Sequence, residues 1–353
     1  MTSTTGAAVA PDTGSPGVRE RLRPLGVGPA GWGVGAVVVT LVLVGGLPYV
    51  LNAYAIFVLT QVAIYSIACL GLTVVIGWSG QVALAQAGFF GVGAYGASYL
   101  FNHGVPWVLA TLTAALFAAA VGVAIGLPAA RLKGFYLAIA TLAFGDLMGQ
   151  VFNEATAVTG GPNGMAVEPL RLGSLPANVG LWYLCAVLLG ACLLVLGHIG
   201  RTRWGRCVRA VRDIEIATGA LGLSAVKYKV QAFAVSGFLG ALAGSLFGQS
   251  LTYVSPEAFN STLVISFLIV VLVGGADRIV GAVAGAAFLV VTQELLQSVG
   301  AFQRLVFGLA LVAVVRFVPN GVVPWIAEWL RGRSRHRRGS AARPGASTSG
   351  SAT

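Results

Sequence analysis

The chain predicts an all-α, polytopic integral membrane protein of about ten transmembrane helices, and three observations carry that prediction. Hydrophobic residues make up 57% of its 353 residues and charged residues only 9%, with a mean hydropathy of +0.85; a soluble domain needs far more charge to cover its surface. The apolar residues fall into runs of roughly 20, the length that crosses a hydrocarbon core. The charges collect between those runs and at the two ends, where they orient a membrane protein.

Residues 1–32 are rich in Ala, Gly, Pro, Ser and Thr, carry Arg19, Arg21 and Arg23, and read as a disordered cytoplasmic tail with no evident leader cleavage site. The membrane domain follows as 33–322. Its spans are expected at 33–51, 54–76, 82–101, 105–128, 134–152, 179–199, 230–250, 260–276, 280–299 and 303–318. The third is Gly-rich and opens on the polar Gly77-Trp78-Ser79-Gly80-Gln81, so it reads as a broken or re-entrant segment as readily as a clean span. Residues 323–353 form a basic, low-complexity cytoplasmic tail. With ten spans and both termini inside, all of the 22 Lys and Arg fall on the cytoplasmic side except Arg171 and Arg304. Removing one span would invert part of that map and place a basic loop outside.

The segment 200–229 interrupts this pattern. It holds seven of the chain's Lys and Arg and two of its eleven acidic residues, so it cannot lie in hydrocarbon and must sit in water. From Trp204 to Leu221 it can be one helix, with Val208, Val211, Ala217 and Leu221 among its apolar positions. Arg206, Arg209 and Arg212 recur at three-residue spacing on another side, and Gly222 is a natural stop. On composition alone this is an amphipathic helix attracted to anionic membrane lipid.

Other chemistry is sparse. The basic residues are not interleaved with aromatics, which excludes a nucleic-acid face. The four cysteines lack any CxxC spacing, so neither a disulfide framework nor a metal site is expected. Gly77-Trp78-Ser79-Gly80 has the form of an intramembrane protease nucleophile, but such a serine needs a histidine on a neighbouring helix. The three His are His103, His198 and His336, at span ends and in the tail. No GxxxxGK[ST] occurs, so any ATP chemistry belongs to another chain, and no cofactor is expected. The acids well inside spans are Asp146 and Glu294. Ser79, Gln81, Gln86, Thr141, Asp146 and Asn153 are candidates to line a translocation path, against the alternative that they make hydrogen bonds between helices. Ser236, Gly240, Gly244 and Gly248 form a four-residue row that lets helix backbones approach closely; Gly122/Gly126 and Gly281/Gly285 repeat it.

Several separated stretches carry a resemblance as well. The basic stretch and its continuation, RTRWGRCVRAVRDIEIATGALGLSAVKYKVQAFAVSGFLGALAGSL, with GLTVVIGWSGQVALAQAGFFGVGAYGASYL, RLKGFYLAIATLAFGDLMGQVFNEATAVTGGPNGM, YVSPEAFNSTLVISFLIVVLVGGADRIVGAVAGAAF and RLVFGLALVAVVRFVPNGVV, resembles the LivM-type permeases of branched-chain amino acid ABC importers over about residues 54–322. The resemblance implies a cell-membrane permease subunit, not an enzyme. It also implies a second related permease, two cytoplasmic ABC ATPases and an extracytoplasmic substrate-binding protein as partners. It further implies that the loop bearing Glu215, Ala217, Ala220, Leu221 and Gly222 is a coupling helix seated in an ATPase groove, with Arg206, Arg209 and Arg212 among its coupling residues. The sequence departs from the family at Thr218-Gly219, where Ala-Glu is common; Gly219 weakens a helix by about 1 kcal/mol relative to Ala. Branched-chain or other hydrophobic amino acids are the expected cargo, with urea, amides or small aromatic acids as alternatives. A stand-alone channel or secondary carrier is the reading from a different class.

Overall fold

The computed structural model describes residues 51–132, 134–170, 173, 176–214, 218 and 222–296. The expected spans 303–318 and nearly all of 33–51, both tails, and Glu215, Ala217, Ala220 and Leu221 lie outside the described residues.

Ten helices are described. They are α1 Ala53–Leu72, α2 Gln86–Asn102, α3 Trp107–Ala129, α4 Phe135–Glu154, the single turn α5 Thr156–Thr159, α6 Ala177–Ile199, α7 Arg203–Asp213, α8 Ala225–Leu251, α9 Ser261–Gly274 and α10 Ile279–Leu296. Among the described residues five segments are long and apolar enough to cross a membrane: Ala53–Trp78, Trp107–Ala129, Phe135–Glu154, Ala177–Ile199 and Ala225–Leu251. Helices α9 and α10 are apolar but shorter.

The structure moves several expected boundaries. The third expected span becomes helical only at Gln86; α2 has 17 residues and is preceded by a non-helical stretch from Ser79 to Ala85. Helix α1 does not end at its last α-helical turn but continues as a π-helix over Thr73–Trp78. There the Ser79 amide donates to the Val74 carbonyl at 3.1 Å and the Gln81 amide to Val75 at 3.0 Å. Helix α8 starts at Ala225, five residues before the apolar run, because Ser224 caps it by accepting from the Lys227 amide; Lys227 and Lys229 therefore lie on helix rather than loop. The one helix expected from Trp204 to Leu221 stops at Asp213, since Ile214 has φ −146° and ψ 75°, outside helical space.

The fold is not purely helical. Strands β1 (Met165–Ala166) and β2 (Tyr253–Val254) pair antiparallel, Met165 opposite Val254 and Ala166 opposite Tyr253. Pairs this short leave no period for sequence to show. They pin the loop after α4 to the end of α8. Asn102 adds to the clasp, donating from Nδ2 to the Ala166 carbonyl at 2.8 Å and accepting from the Glu168 amide at 3.2 Å. Gln249 accepts from the Leu170 amide at 3.0 Å.

Helix α8 is the centre of the packing, lying against α3, α2 and α1, while α1 also meets α6 and α10. Its small residues make this possible. A Cβ at Gly244 would sit 1.9 Å from the Phe90 carbonyl oxygen, and a Cβ at Gly93 would sit 2.0 Å from that of Ala241. Neither site admits any side chain, so α2 and α8 meet backbone to backbone, as helices do where no water drives association. Around this seam Phe90 packs with Tyr65, Phe247, Phe259 and Phe267 at centroid distances of 5.0–6.5 Å. The outer faces of α3 and α6 instead expose Leu109, Leu112, Leu116, Phe117, Val187 and Leu194, as lipid-facing surfaces do.

Candidate functional site

The basic segment folds into α7, whose Gly205, Val208 and Val211 are buried. This face packs on α8 and on the π-helical end of α1. Trp204 donates from Nε1 to Gln231 Oε1 at 2.8 Å and meets Trp78 edge-on with centroids 6.4 Å apart. Trp78 is 1% exposed.

The three arginines do not share one environment. Arg206 is exposed and donates to the Arg201 carbonyl at 2.8 Å. The Arg209 guanidinium stands 5.0 Å over the Trp78 ring, in cation–π range. Burial lowers its pKa, the Asp277 charge opposes that, and Arg212 adds like-charge repulsion; a guanidinium stays charged regardless. Arg212 donates from Nη1 to both the Gly77 carbonyl and Asp277 Oδ1, and from Nε to Asp213 Oδ1 at 3.0 Å. Three-residue spacing could not separate these roles, because the partners of Arg209 and Arg212 come from distant parts of the chain.

Beyond Asp213, Thr218 is 4% exposed and its amide donates to Ile214 at 3.2 Å. The Leu223 amide reaches back to the Thr218 carbonyl at 3.0 Å, and Gly222 has φ +75°. A six-to-one bond around a left-handed glycine is the Schellman form of helix stop.

The polar candidates for a path divide into two groups. Ser79, Gln81, Gln86 and Thr141 are buried. Ser79 donates to the Val75 carbonyl at 2.8 Å, the geometry of a hydroxyl turned back on its own helix rather than a primed nucleophile. Gln86 links three helices, donating from Nε2 to the Ala68 carbonyl at 2.7 Å and accepting from the Ser236 hydroxyl at 2.7 Å. Thr141 accepts from the Leu84 amide at 2.9 Å and so ties α4 to the stretch before α2. Gln81 Oε1 is buried without a partner. Asp146 and Asn153 stand apart on α4. Asp146 is exposed and accepts from the Ser261 hydroxyl at 2.9 Å; half-buried Asn153 donates to the Gly149 carbonyl at 3.1 Å. Gln150 and Glu154 continue the exposed side.

Of the packing row, Gly244 and Gly248 face the backbone of α2, with Gly248 also close to Ser98 Oγ, while Ser236 and Gly240 lie against Gln86. Gly122 faces α8 at Phe233, and Gly285 faces α9 at Val270. No group of His, Cys, Asp and Glu among the described residues could hold a metal ion. Sequence reading passed over Trp78, Asp277 and Asn102. The signals were a tryptophan within the Gly-Trp-Ser-Gly run and a Gly-Gly-Ala-Asp-Arg turn between apolar runs, both readable only as local punctuation.

A family model described as "Branched-chain amino acid transport system / permease component" matches residues 54–315. The chain belongs to this permease family. It is 32% identical to the high-affinity branched-chain amino acid transport system permease protein LivM of Salmonella typhimurium, over 86% of this chain and 77% of that protein. It is 33% identical to the LivM protein of Escherichia coli, over 86% and 78%. A probable branched-chain amino acid transport permease LivM of Methanocaldococcus jannaschii is 25% identical over 62% and 68%. No solved structure matches. The match to the family model begins one residue into α1 and takes in every described helix after it. The chain is therefore a transport permease of the membrane.

Proposed function

We propose that this permease is one of two related membrane subunits of an ATP-driven importer, with branched-chain or other hydrophobic amino acids as cargo. The observation that carries this reading is the family match over residues 54–315, to which the named relatives add the cargo class. Two ABC ATPases on the cytoplasmic side and an extracytoplasmic binding protein complete the machine. Both termini of this chain are cytoplasmic, on the strength of the basic residues gathered between spans.

Coupling runs through the segment after α7. Exposed Arg206 and the stretch containing Glu215, Ala217, Ala220, Leu221 and Gly222 face the ATPase. Nucleotide-driven closure of the motor displaces this segment and, with it, α6 and α8, biasing the membrane domain between two arrangements. The path follows the exposed side of α4, with Asp146 and Asn153, because polar groups on a spanning helix belong against protein or water rather than lipid. Gln86 and Thr141, whose hydrogen bonds join separate elements, hold the helices in register behind it.

The test is uptake of radiolabelled leucine by vesicles carrying the complete complex, with and without an ATPase-dead partner. Uptake that needs both the binding protein and ATP hydrolysis supports the importer. Leucine flux that persists with the dead motor would make the protein a channel or secondary carrier, and ATP-driven uptake of urea or benzoate but not leucine would correct the cargo.

A further inference from the structure

Three stretches far apart in the chain converge where α1 ends: the π-helical turn with its following glycine, the basic helix α7, and the turn between α9 and α10. The approach is close enough to dictate residue types. A Cβ on Gly77 would lie 1.8 Å from the Ala276 carbonyl oxygen, and one on Gly80 would lie 2.5 Å from Arg212 Cγ. A Cβ on Gly200 would meet Arg209 Nη2 at 3.0 Å and the Trp78 ring at 3.1 Å. Glycine is thus required at Gly77 by the α9–α10 turn, and Gly80, with φ +69°, opens the space through which Arg212 passes.

Into this space Arg212 delivers one guanidinium nitrogen to two partners, the Gly77 carbonyl and the Asp277 carboxylate. The Gly77 carbonyl lies in the last turn of the π-helix, where carbonyls have no partner further along the helix and take outside donors; π-helical segments recur at functional sites. Beside it, Arg209 and Trp204 bracket the buried Trp78 ring. Helix α7 is therefore attached along its own length to α1 and to the α9–α10 turn, as well as to the spans α6 and α8 that flank it in sequence.

We propose that Arg212 is a positioning residue that, with Asp277 and the Gly77 carbonyl, latches α7 to the π-helical end of α1 and to the α9–α10 turn, so that displacement of α7 is passed directly to α1, α9 and α10. The transport consequence rests on the importer reading given above; the latch itself does not. Arg212 keeps 30% and Asp277 66% of their side-chain surface exposed. An ion pair so exposed adds little to folding stability. Its value lies in direction, a charge-assisted donor held on two acceptors that belong to different elements.

The experiment uses the full-length permease, alone and in its complete complex, with Arg212→Ala, Asp277→Asn, Arg212→Lys and the charge exchange Arg212→Asp with Asp277→Arg; Arg206→Ala is the control in the permease alone. In the permease alone, amide hydrogen exchange across α7 should rise at least several-fold for Arg212→Ala and Asp277→Asn, and stay unchanged for Arg206→Ala. This readout does not depend on any transport activity, so a failed importer reading leaves it intact. In the complex, leucine taken up per ATP hydrolysed should fall several-fold while ATPase turnover and recovery of the ATPase with the permease are kept. Arg212→Lys should recover part of the ratio and the charge exchange more than either single change. A role confined to holding the fold would lower yield and ATPase turnover together without touching their ratio to uptake. Unchanged exchange in α7 for both Arg212→Ala and Asp277→Asn overturns the latch. Release of the ATPase by Arg212→Ala with no effect of Asp277→Asn also overturns it, by making Arg212 a direct ATPase contact.

Discussion

Helices α8 and α4 are similarly apolar, yet the protein uses them in opposite ways. Of the most apolar window of α8, 78% is buried within the protein, against 22% for α4. The difference lies in where small residues fall. In α8 they line up at Ser236, Gly240, Gly244 and Gly248, and α2, α3 and α1 close around them. In α4 the outward side carries Ile139, Leu147 and Val151 beside Asp146, Gln150 and Glu154, so bulk and polarity stand where α8 has nothing. Hydropathy says that a segment can cross a membrane; the spacing of its small residues says whether it crosses wrapped in its own chain. A polar outward side on a crossing helix then calls for a partner or water.

The largest effect should come from filling the α8 seam. Gly244→Leu forces carbons into the Phe90 carbonyl, and overpacking of this kind costs about 1–3 kcal/mol where neighbours can shift and more where they are backbone. Yield of monodisperse protein in detergent is expected to collapse. Gly149→Leu on α4, where a Cβ would meet nothing within 4 Å, should keep its yield. Equal yields from the two variants would erase the contrast between the helices.

That contrast was only half legible beforehand. The seam could be read because a four-residue repeat of small residues is local and needs no knowledge of the partner helix. The membership of α4 among crossing helices was legible too, from its length. Three other features needed tertiary structure. The π-helical end of α1 exists where the α9–α10 turn presses on Gly77, some 200 residues on. Gln86 looked like a path residue from its polarity, whereas its partners Ala68 and Ser236 sit on two other helices. Arg209 and Arg212 looked like companions of Arg206 from their spacing, yet they turn towards Trp78 and Asp277. In the last two cases the polar residues stand out in the sequence, but the groups they turn towards are ones that only folding brings near.

A middle-sized effect should follow from cutting the polar bond inside the seam. In Gln86→Leu the Ala68 carbonyl loses its second donor and the Ser236 hydroxyl loses its acceptor at once; a buried group left unsatisfied costs about 1–3 kcal/mol. Ser236→Ala should cost less, since Gln86 keeps its bond to Ala68. Because the two side chains share one hydrogen bond, the double variant should be milder than the sum of the singles, with a coupling of about 0.6–1.7 kcal/mol. Thermal inactivation of detergent-solubilised protein measures all three, and strict additivity would mean that the bond at 2.7 Å is not formed in the membrane.

The smallest effect on stability, and the most informative for α4, belongs to Asp146. Its bond to the Ser261 hydroxyl is exposed, so Asp146→Asn and Asp146→Leu should change thermal stability by no more than about 0.5 kcal/mol. If the outward side of α4 met lipid, Asp146→Leu would improve the protein, because an apolar residue suits hydrocarbon and a carboxylate does not. If it meets a path or a second permease, leucine uptake by the complete complex should fall several-fold for Asp146→Leu and less for Asp146→Asn, which keeps an acceptor for Ser261. Gln150→Leu, one turn further along the same side, should act in the same direction. Uptake and complex recovery unchanged in all three would mean that the polar side of α4 is an ordinary outer surface. The unlike burial of α4 and α8 would then reflect only position in the bundle, not a division between scaffold and path.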